Sequence, residues 1–340
     1  LSVVVHSEMG GPALLDARGH SMVYVNGEPR GGDLYNLGLT LLPVELQPGE
    51  NWLLFHVSRG QVRAKLRKVD DRMFDNRDAT WPTPVAGETE PVWGALLLVH
   101  PAGPMLNDLV IVAIAPNGAR EETDVAPISA NTVRKVPVRL PAVANAPAGE
   151  KLTYTLRLID RHQPSEVRAE TTVDLTVASP FGNHTRTFIS EIDGSVQYYA
   201  VRPPPGPGAE DGPRPGLILA LHGAGVEGAG MRNQYSPKEW AYVVSPTNRR
   251  AFGFDWEDWG RLDAMEVLAH AKARYDTDPQ RTWLTGHSMG GHGTWQIGAH
   301  FPDQFAAIGP SAGWVSFRSY TGAETFDTND PVEAILDRAV

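Results

Sequence analysis

The stretch that decides the fold of the C-terminal region is Thr282-Trp283-Leu284-Thr285-Gly286-His287-Ser288-Met289-Gly290-Gly291-His292-Gly293-Thr294-Trp295-Gln296-Ile297. Its first four residues predict a β-strand and its last five predict a helix. Between them lies the pattern Gly-x-Ser-x-Gly, followed by one more glycine. Glycine has no Cβ atom, so it lets a strand and a helix pass close together at a tight turn. This arrangement is typical of a nucleophile elbow and predicts that Ser288 is a catalytic nucleophile.

A second glycine-rich turn precedes Ser288 by about 65 residues, in Leu219-Ala220-Leu221-His222-Gly223-Ala224-Gly225. In folds with a nucleophile elbow, the elbow supplies one oxyanion donor, and a buried strand that runs into a glycine-rich turn supplies the other. We therefore predict an oxyanion hole formed by the backbone amides of Met289 and Ala224, with Gly225 as the alternative to Ala224. His222 is expected to brace the turn by hydrogen bonding and not to act as the base.

Strands alternate with helices in residues 180–340. The pattern predicts a hairpin around Asp193-Gly194, strands near 217–221, 240–244, 281–285 and 305–308, and helices near 262–274 and 291–300. The Pro- and Gly-rich stretch Pro203–Pro215 is assigned to a loop within this domain, because the hairpin before it has no other sheet to join. Such alternation predicts a doubly wound, mostly parallel sheet.

The first 180 residues are rich in predicted strands and lack helical periodicity. Residues 1–80 contain short apolar runs between turn signals, which predicts a β-rich, jelly-roll-like module, clipped at its start because such modules usually exceed 100 residues. The stretch Trp81-Pro82-Thr83-Pro84 marks the first boundary. Residues 90–179 contain about five predicted antiparallel strands, the number expected of an immunoglobulin-like sandwich.

The run from Asp278 to Trp295, together with Phe301-Pro302-Asp303-Gln304-Phe305-Ala306-Ala307-Ile308, resembles secreted esterases related to polyhydroxybutyrate depolymerases and feruloyl esterases. The same stretch is similar to peptidases of the prolyl oligopeptidase family. The resemblance covers about residues 185–315 and implies an α/β-hydrolase with a Ser-His-Asp triad, of which Ser288 is the matching position. Separately, residues 24–55 resemble galactose-binding-like jelly-roll modules, for which sugar binding and a purely structural role stay open.

The triad acid and base are the point at which the chain departs from this pattern. In α/β-hydrolases both follow the serine in the chain, after further strands. His292 and His300 lie on the helix after the elbow, where neither is well placed as a base. Asp327, Asp330 and Asp337 precede any recognisable further strand. We therefore expect the hydrolase domain to be C-terminally incomplete, with the acid and base beyond Val340, supplied by a C-terminal segment or a complementary chain.

Three tryptophans are candidates for a substrate pocket: Trp256, Trp259 and Trp314. The first two follow a predicted strand, near the sheet edge at which ligands of such folds bind. A packed loop that caps the next helix is the alternative interpretation. Asp255, Glu257 and Asp258 have no histidine close by in sequence, so no metal site is predicted.

The composition excludes several classes of function. A formal net charge of −10 argues against a nucleic acid or an anionic membrane surface as partner. The absence of cysteine excludes disulfides and thiolate metal ligands, and no cofactor is expected. The chain starts at Leu1 without an apolar signal segment, as a mature exported protein or a trimmed chain does. A secreted or periplasmic location is the expectation.

Three functions fit these observations. The first is a serine carboxylesterase that acts through an acyl-enzyme on Ser288, with a small-molecule or polymer ester, including a glycan-linked one, as substrate. The second is a prolyl oligopeptidase-like peptidase, although the lack of repeats ahead of the hydrolase region favours the esterase. The third is a non-catalytic glycan-binding protein with a degenerate hydrolase domain.

Overall fold

The computed structural model describes residues 1–57, 60–69, 73–207 and 212–315, together with Tyr320 and Pro331. The chain is rich in strands and divides into two compact units. The first comprises residues 1–81, 90–143 and 152–174, and the second comprises residues 82–89, 144–151 and 175–340. In the described part of the chain, every helix is too short or too polar to span a membrane.

Seven strands form the N-terminal part of the first unit: β1 (Ser2–Ser7), β2 (Gly11–Arg18), β3 (His20–Val25), β4 (Glu28–Asp33), β5 (Leu41–Leu46), β6 (Gly49–His56) and β7 (Arg63–Lys68). They make two antiparallel sheets, in the orders β1-β6-β3-β4 and β5-β2-β7. Strand β6 shows why: Leu53 and Phe55 are buried, while Trp52, Leu54 and His56 between and beside them are exposed. This alternation places one face of the sheet against a core.

Seven further strands follow: β8 (Phe74–Thr80), β9 (Val92–His100), β10 (Leu109–Ile114), β11 (Arg120–Val125), β12 (Thr132–Leu140), β13 (Lys151–Asp160) and β14 (Gln163–Thr176). Their sheets have the orders β12-β9-β8 and β11-β10-β13-β14. Two strands were not in the predicted set of five. Strand β11 is largely charged, and β8, which the predicted boundary assigns to the first module, pairs with β9 instead.

The two β regions share a small apolar cluster in the first unit. Leu14 and Leu41 from the N-terminal strands pack with Val99 of β9, and Val69 and Val133 pack against them. Both β regions therefore belong to one compact unit. Their division into separate domains at residues 80 and 90 stays a prediction.

The second unit contains one six-stranded sheet and three α-helices among its described residues. Its elements are β15 (His184–Ile189), β16 (Val196–Arg202), β17 (Gly216–Leu221), α1 (Gly228–Asn233), β18 (Ala241–Ser245), α2 (Asp258–Arg274), β19 (Thr282–His287), α3 (Met289–His300), a 3-10 helix (Pro302–Gln304) and β20 (Ala307–Ser311). The sheet order is β15-β16-β18-β17-β19-β20, and the last four strands run parallel.

The pairing of β17 with β19 positions the predicted site. These neighbours run parallel, with Leu219 opposite Leu284 and Leu221 opposite Gly286. Their carboxyl ends therefore meet at one edge of the sheet, although about 65 residues of chain separate them. The turn at His222–Gly225, here called the oxyanion turn, thus comes to lie beside Ser288. On one side of the sheet, α2 and α3 cover a core that includes Leu219, Leu284 and Ile297.

Candidate active site

Ser288 occupies a strained turn between β19 and α3. Its φ of 57° and ψ of −119° lie outside the regions that residues with a Cβ atom ordinarily adopt. Such a conformation costs about 1–3 kcal/mol and persists only where the surroundings impose it. The Ser288 amide donates to the Ser311 carbonyl at 2.9 Å, and the Ser288 carbonyl accepts from Gly291 and His292 in the first turn of α3. The side chain is half-buried at the helix N-terminus.

Sterics explain the three glycines around Ser288. A Cβ atom at Gly286 would lie 2.2 Å from the Gly290 carbonyl oxygen, and one at Gly290 would lie 2.1 Å from the Leu221 carbonyl oxygen. At Gly291 the obstacle is the Ser311 carbonyl oxygen, at 2.4 Å. All three obstacles are backbone atoms, which cannot rotate away. The close approach of β17, β19 and α3 therefore requires glycine at each position.

The oxyanion turn lies against the serine. A Cβ atom at Gly223 would be 3.6 Å from the Cβ atom of Ser288. The Gly225 amide donates to the Ala251 carbonyl at 2.9 Å and is therefore already engaged. Among the described residues, the amides of Ala224 and Met289 donate to no backbone carbonyl. Of the two alternatives raised above, Ala224 is thus the one with a free amide.

His222 braces this turn, as predicted. The ring is fully buried, with Nδ1 3.0 Å from the Gly223 carbonyl and Nε2 2.9 Å from the Thr247 carbonyl. Burial lowers its pKa and favours the neutral imidazole, whose single N–H donates to one of these two carbonyls. Its own carbonyl accepts a hydrogen bond from the indole nitrogen of Trp256 at 3.0 Å.

The three tryptophans proposed for a substrate pocket differ in their surroundings. Trp256 is fully buried, and its ring packs edge-on against His222 within the core cluster. Its assignment to a substrate pocket is corrected, because it is a core residue of the loop that precedes α2. Trp259 is 45% exposed and contacts Phe254. Trp314 is half-buried and stacks on His292 at 4.7 Å. The pocket role of Trp259 and Trp314 stays a prediction.

Replacement of the two neighbouring tryptophans should separate these roles. Trp256→Ala removes a buried ring and should lower the free energy of unfolding by about 3–5 kcal/mol. Trp259→Ala, the matched control on the exposed side, should change it by less than about 1 kcal/mol. Urea denaturation of both variants measures the difference. Equal losses would show that Trp256 is not the packing residue of this loop.

Neither histidine on α3 contacts the Ser288 hydroxyl. His292 is fully buried, with Nδ1 2.9 Å from the Trp314 carbonyl and Nε2 2.9 Å from the Glu257 carboxylate. His300 is exposed and faces the Gln296 carbonyl. Both findings agree with the sequence argument against these residues as base. The carboxylates Asp327, Asp330 and Asp337 lie outside the described residues. Within the described ranges, no group of three or more histidine, aspartate or glutamate side chains is placed to hold a metal ion.

The sequence analysis missed a buried carboxylate close to this site. Asp263 of α2 is fully buried and accepts hydrogen bonds from the amides of Thr247 and Asn248, in the segment after β18. A signal was available, because Asp263 lies in helical register with Ala264, Val267, Leu268 and Ala271 on the apolar face of the helix.

The C-terminal part of the chain is similar to known esterases. Residues 225–338 match the family described as putative esterases. A poly(3-hydroxyalkanoate) depolymerase C of Paucimonas lemoignei is 29% identical over 117 residues, which cover 28% of this chain and 27% of that protein. The predicted resemblance to esterases is thereby confirmed.

Two further proteins are similar to parts of this chain. An uncharacterized secreted protein of Arthroderma benhamiae is 28% identical over 159 residues, covering 42% of this chain and 17% of that protein. The solved structure of a Staphylococcus aureus fluorophosphonate-binding serine hydrolase has 17% identity and a TM-score of 0.34, with 43% of this chain and 62% of that chain covered. The matches span less than a third of the length of the two curated relatives.

Proposed function

We propose that this protein is a serine carboxyl-ester hydrolase of the α/β-hydrolase type, with Ser288 as nucleophile. The observation that carries the proposal is the strained Ser288 turn at the N-terminus of α3, in contact with the oxyanion turn. The match of residues 225–338 to putative esterases supports it. Because one relative is a poly(3-hydroxyalkanoate) depolymerase and another is named as secreted, we extend the proposal to an exported enzyme that acts on a small or polymeric ester.

The proposed reaction has two halves. The Ser288 oxygen attacks the ester carbonyl carbon while a base accepts its proton. The base then gives this proton to the alcohol oxygen as the bond between that oxygen and the carbonyl carbon breaks, so that the neutral alcohol leaves and an acyl-enzyme remains. Water attacks the acyl-enzyme in the second half and releases the acid. The amides of Ala224 and Met289 hold the oxyanion in both halves, helped by the dipole of α3.

The acid and base are part of the proposal. In this fold they follow the nucleophile in chain order, after further strands. We therefore place them C-terminal to β20, in agreement with the hydrogen bonds that engage His222 and His292 elsewhere.

The proposal is tested by comparing substrates. The full-length protein should hydrolyse p-nitrophenyl acetate or butyrate faster than any peptide anilide, because the family match is to esterases. A clear preference for a prolyl anilide would instead support the peptidase. Failure to hydrolyse either substrate, with no fluorophosphonate labelling, would support the non-catalytic glycan-binding alternative.

A further inference from the structure

The buried carboxylate Asp263 meets the backbone of a strained turn. Its Oδ2 atom accepts hydrogen bonds from the Asn248 amide at 3.0 Å and the Thr247 amide at 3.3 Å. Asn248 and Arg249 are consecutive residues with φ values of 53° and 64°, in the left-handed region. Two such residues side by side are costly and need an external constraint. The Asp263 carboxylate supplies that constraint for this turn, here called the Thr247 turn (residues 247–249).

A buried arginine completes the cluster. Arg249 Nε lies 3.4 Å from Asp263 Oδ1, and the guanidinium also faces Glu266 at 3.2 Å and Asp193 at 3.4 Å. Burial raises the pKa of Asp263 to about 6, while Arg249 and the two amides act in the opposite direction. The carboxylate is therefore mostly ionised at pH 7.5, the form that accepts these hydrogen bonds most strongly.

The Thr247 turn in turn holds the oxyanion turn through two separate links. The Thr247 carbonyl lies 2.9 Å from Nε2 of His222, the residue that directly precedes Gly223 and Ala224 in the chain. The Asn248 side-chain oxygen accepts from the Trp256 amide at 3.2 Å, and the Trp256 indole donates to the His222 carbonyl at 3.0 Å. The ring of His222 thus contacts Thr247, and its carbonyl contacts Trp256, whose amide is bound by Asn248. The amides of Thr247 and Asn248 are the two that donate to Asp263.

We propose that Asp263 is a positioning residue that sets the oxyanion turn through Thr247 and His222. The proposal rests on the function proposed above, since it concerns the placement of the Ala224 amide that would bind the oxyanion. Asp263 touches neither Ser288 nor the substrate. It acts because a small displacement of an oxyanion donor weakens transition-state binding much more than substrate binding.

The test compares Asp263→Asn with Glu266→Gln in the full-length protein. Both variants remove a carboxylate of α2 that faces Arg249. Glu266 accepts hydrogen bonds from the Ser190 hydroxyl and the Glu191 amide, whereas Asp263 accepts from the amides of Thr247 and Asn248. For each variant, the maximal rate on p-nitrophenyl butyrate is divided by the concentration of serine that a fluorophosphonate labels to completion, which gives kcat per labelled serine. We expect Asp263→Asn to lower this value about 10- to 100-fold with little change in KM. Glu266→Gln should stay within about threefold of wild type.

A second measurement separates positioning from a loss of folded protein. A trifluoromethyl ketone forms an oxyanion on the serine, so its affinity should fall in Asp263→Asn by the same factor as kcat/KM. Poor folding alone would reduce the number of labelled serines and leave kcat per labelled serine and inhibitor affinity unchanged. If kcat per labelled serine in Asp263→Asn equals that in Glu266→Gln, the proposal is overturned.

His222→Leu keeps the proposal testable if Asp263→Asn does not fold. Leucine has no N–H to donate, so this change breaks the link to the Thr247 carbonyl and leaves the Asp263–Arg249 pair intact. We expect a similar loss of kcat. Where Asp263→Asn folds, the double variant should show no further loss, because both changes act on one chain of contacts. Unchanged kcat in His222→Leu would refute the proposed link from Asp263 to the oxyanion turn. If the wild-type protein shows no ester hydrolysis that depends on Ser288, both proposals are overturned. If the wild-type protein is active and these variants are as active as it is, only the present proposal is overturned.

Discussion

Ser288→Ala is expected to abolish covalent labelling by a fluorophosphonate and to lower ester turnover by about four or more powers of ten in the full-length protein. The reason is that the substitution removes the attacking oxygen and leaves the fold intact, since alanine fits wherever serine does. The oxyanion amides would then supply only residual catalysis, about 10³–10⁴-fold over water. Gel-based labelling and a p-nitrophenyl butyrate assay measure the two effects.

Ser311→Ala is the matched control for this experiment. Ser311 lies beside the elbow, where its carbonyl accepts from the Ser288 amide and its hydroxyl lies 3.2 Å from Nδ1 of the exposed His287 ring. The substitution keeps the carbonyl, so labelling and turnover should be close to wild type. Undiminished labelling of Ser288→Ala would show that another residue is the nucleophile and would refute the proposed mechanism.

Gly290→Ala should strongly destabilise the second unit. The added Cβ atom would lie 2.1 Å from the Leu221 carbonyl oxygen and 3.0 Å from that of His222. Because both are backbone atoms at the end of β17, the strand and α3 must move apart. We expect the free energy of unfolding to fall by at least about 3 kcal/mol, together with a loss of esterase activity as the oxyanion turn shifts. Urea unfolding of the soluble variant measures the first effect.

Gly309→Ala provides the control in the same sheet. Among the described residues, a Cβ atom at this position of β20 meets only the Thr285 hydroxyl, at 3.7 Å, an ordinary contact. Its effect should stay within about 0.5 kcal/mol, as for other exposed substitutions. If Gly290→Ala proved as mild as Gly309→Ala, the close approach of β17 and α3 would not be what requires glycine in the elbow.

Local periodicity predicted most elements of the second unit, and the exceptions have identifiable causes. Strands β17 and β19 and helices α2 and α3 appear near their predicted positions because their apolar residues recur at the spacing of the element. Helix α1 was missed because its sequence, Gly228-Ala229-Gly230-Met231-Arg232-Asn233, is rich in glycine, a poor helix former. In the first unit, strand β11 was missed because four of its six residues are charged.

The sequence by itself determined the features that depend on neighbours along the chain. The position of Ser288 between a strand and a helix follows from the local Gly-x-Ser-x-Gly pattern. The distant backbone atoms that Gly290 and Gly291 approach, in Leu221 and Ser311, came only from the tertiary structure. The bracing role of His222 was equally accessible, because a histidine inside a glycine-rich turn after a buried strand has backbone carbonyls within reach.

Only the tertiary structure decided which distant residues support that turn. Trp256 became a core residue, and the Gly225 amide was engaged by Ala251, through contacts between segments far apart in the sequence. Asp263 and Arg249 meet because α2 packs over the segment that follows β18. Local patterns report which face of an element is apolar, but they do not report which other element will cover it. The pairing of a buried carboxylate with a particular strained turn depends on that second fact.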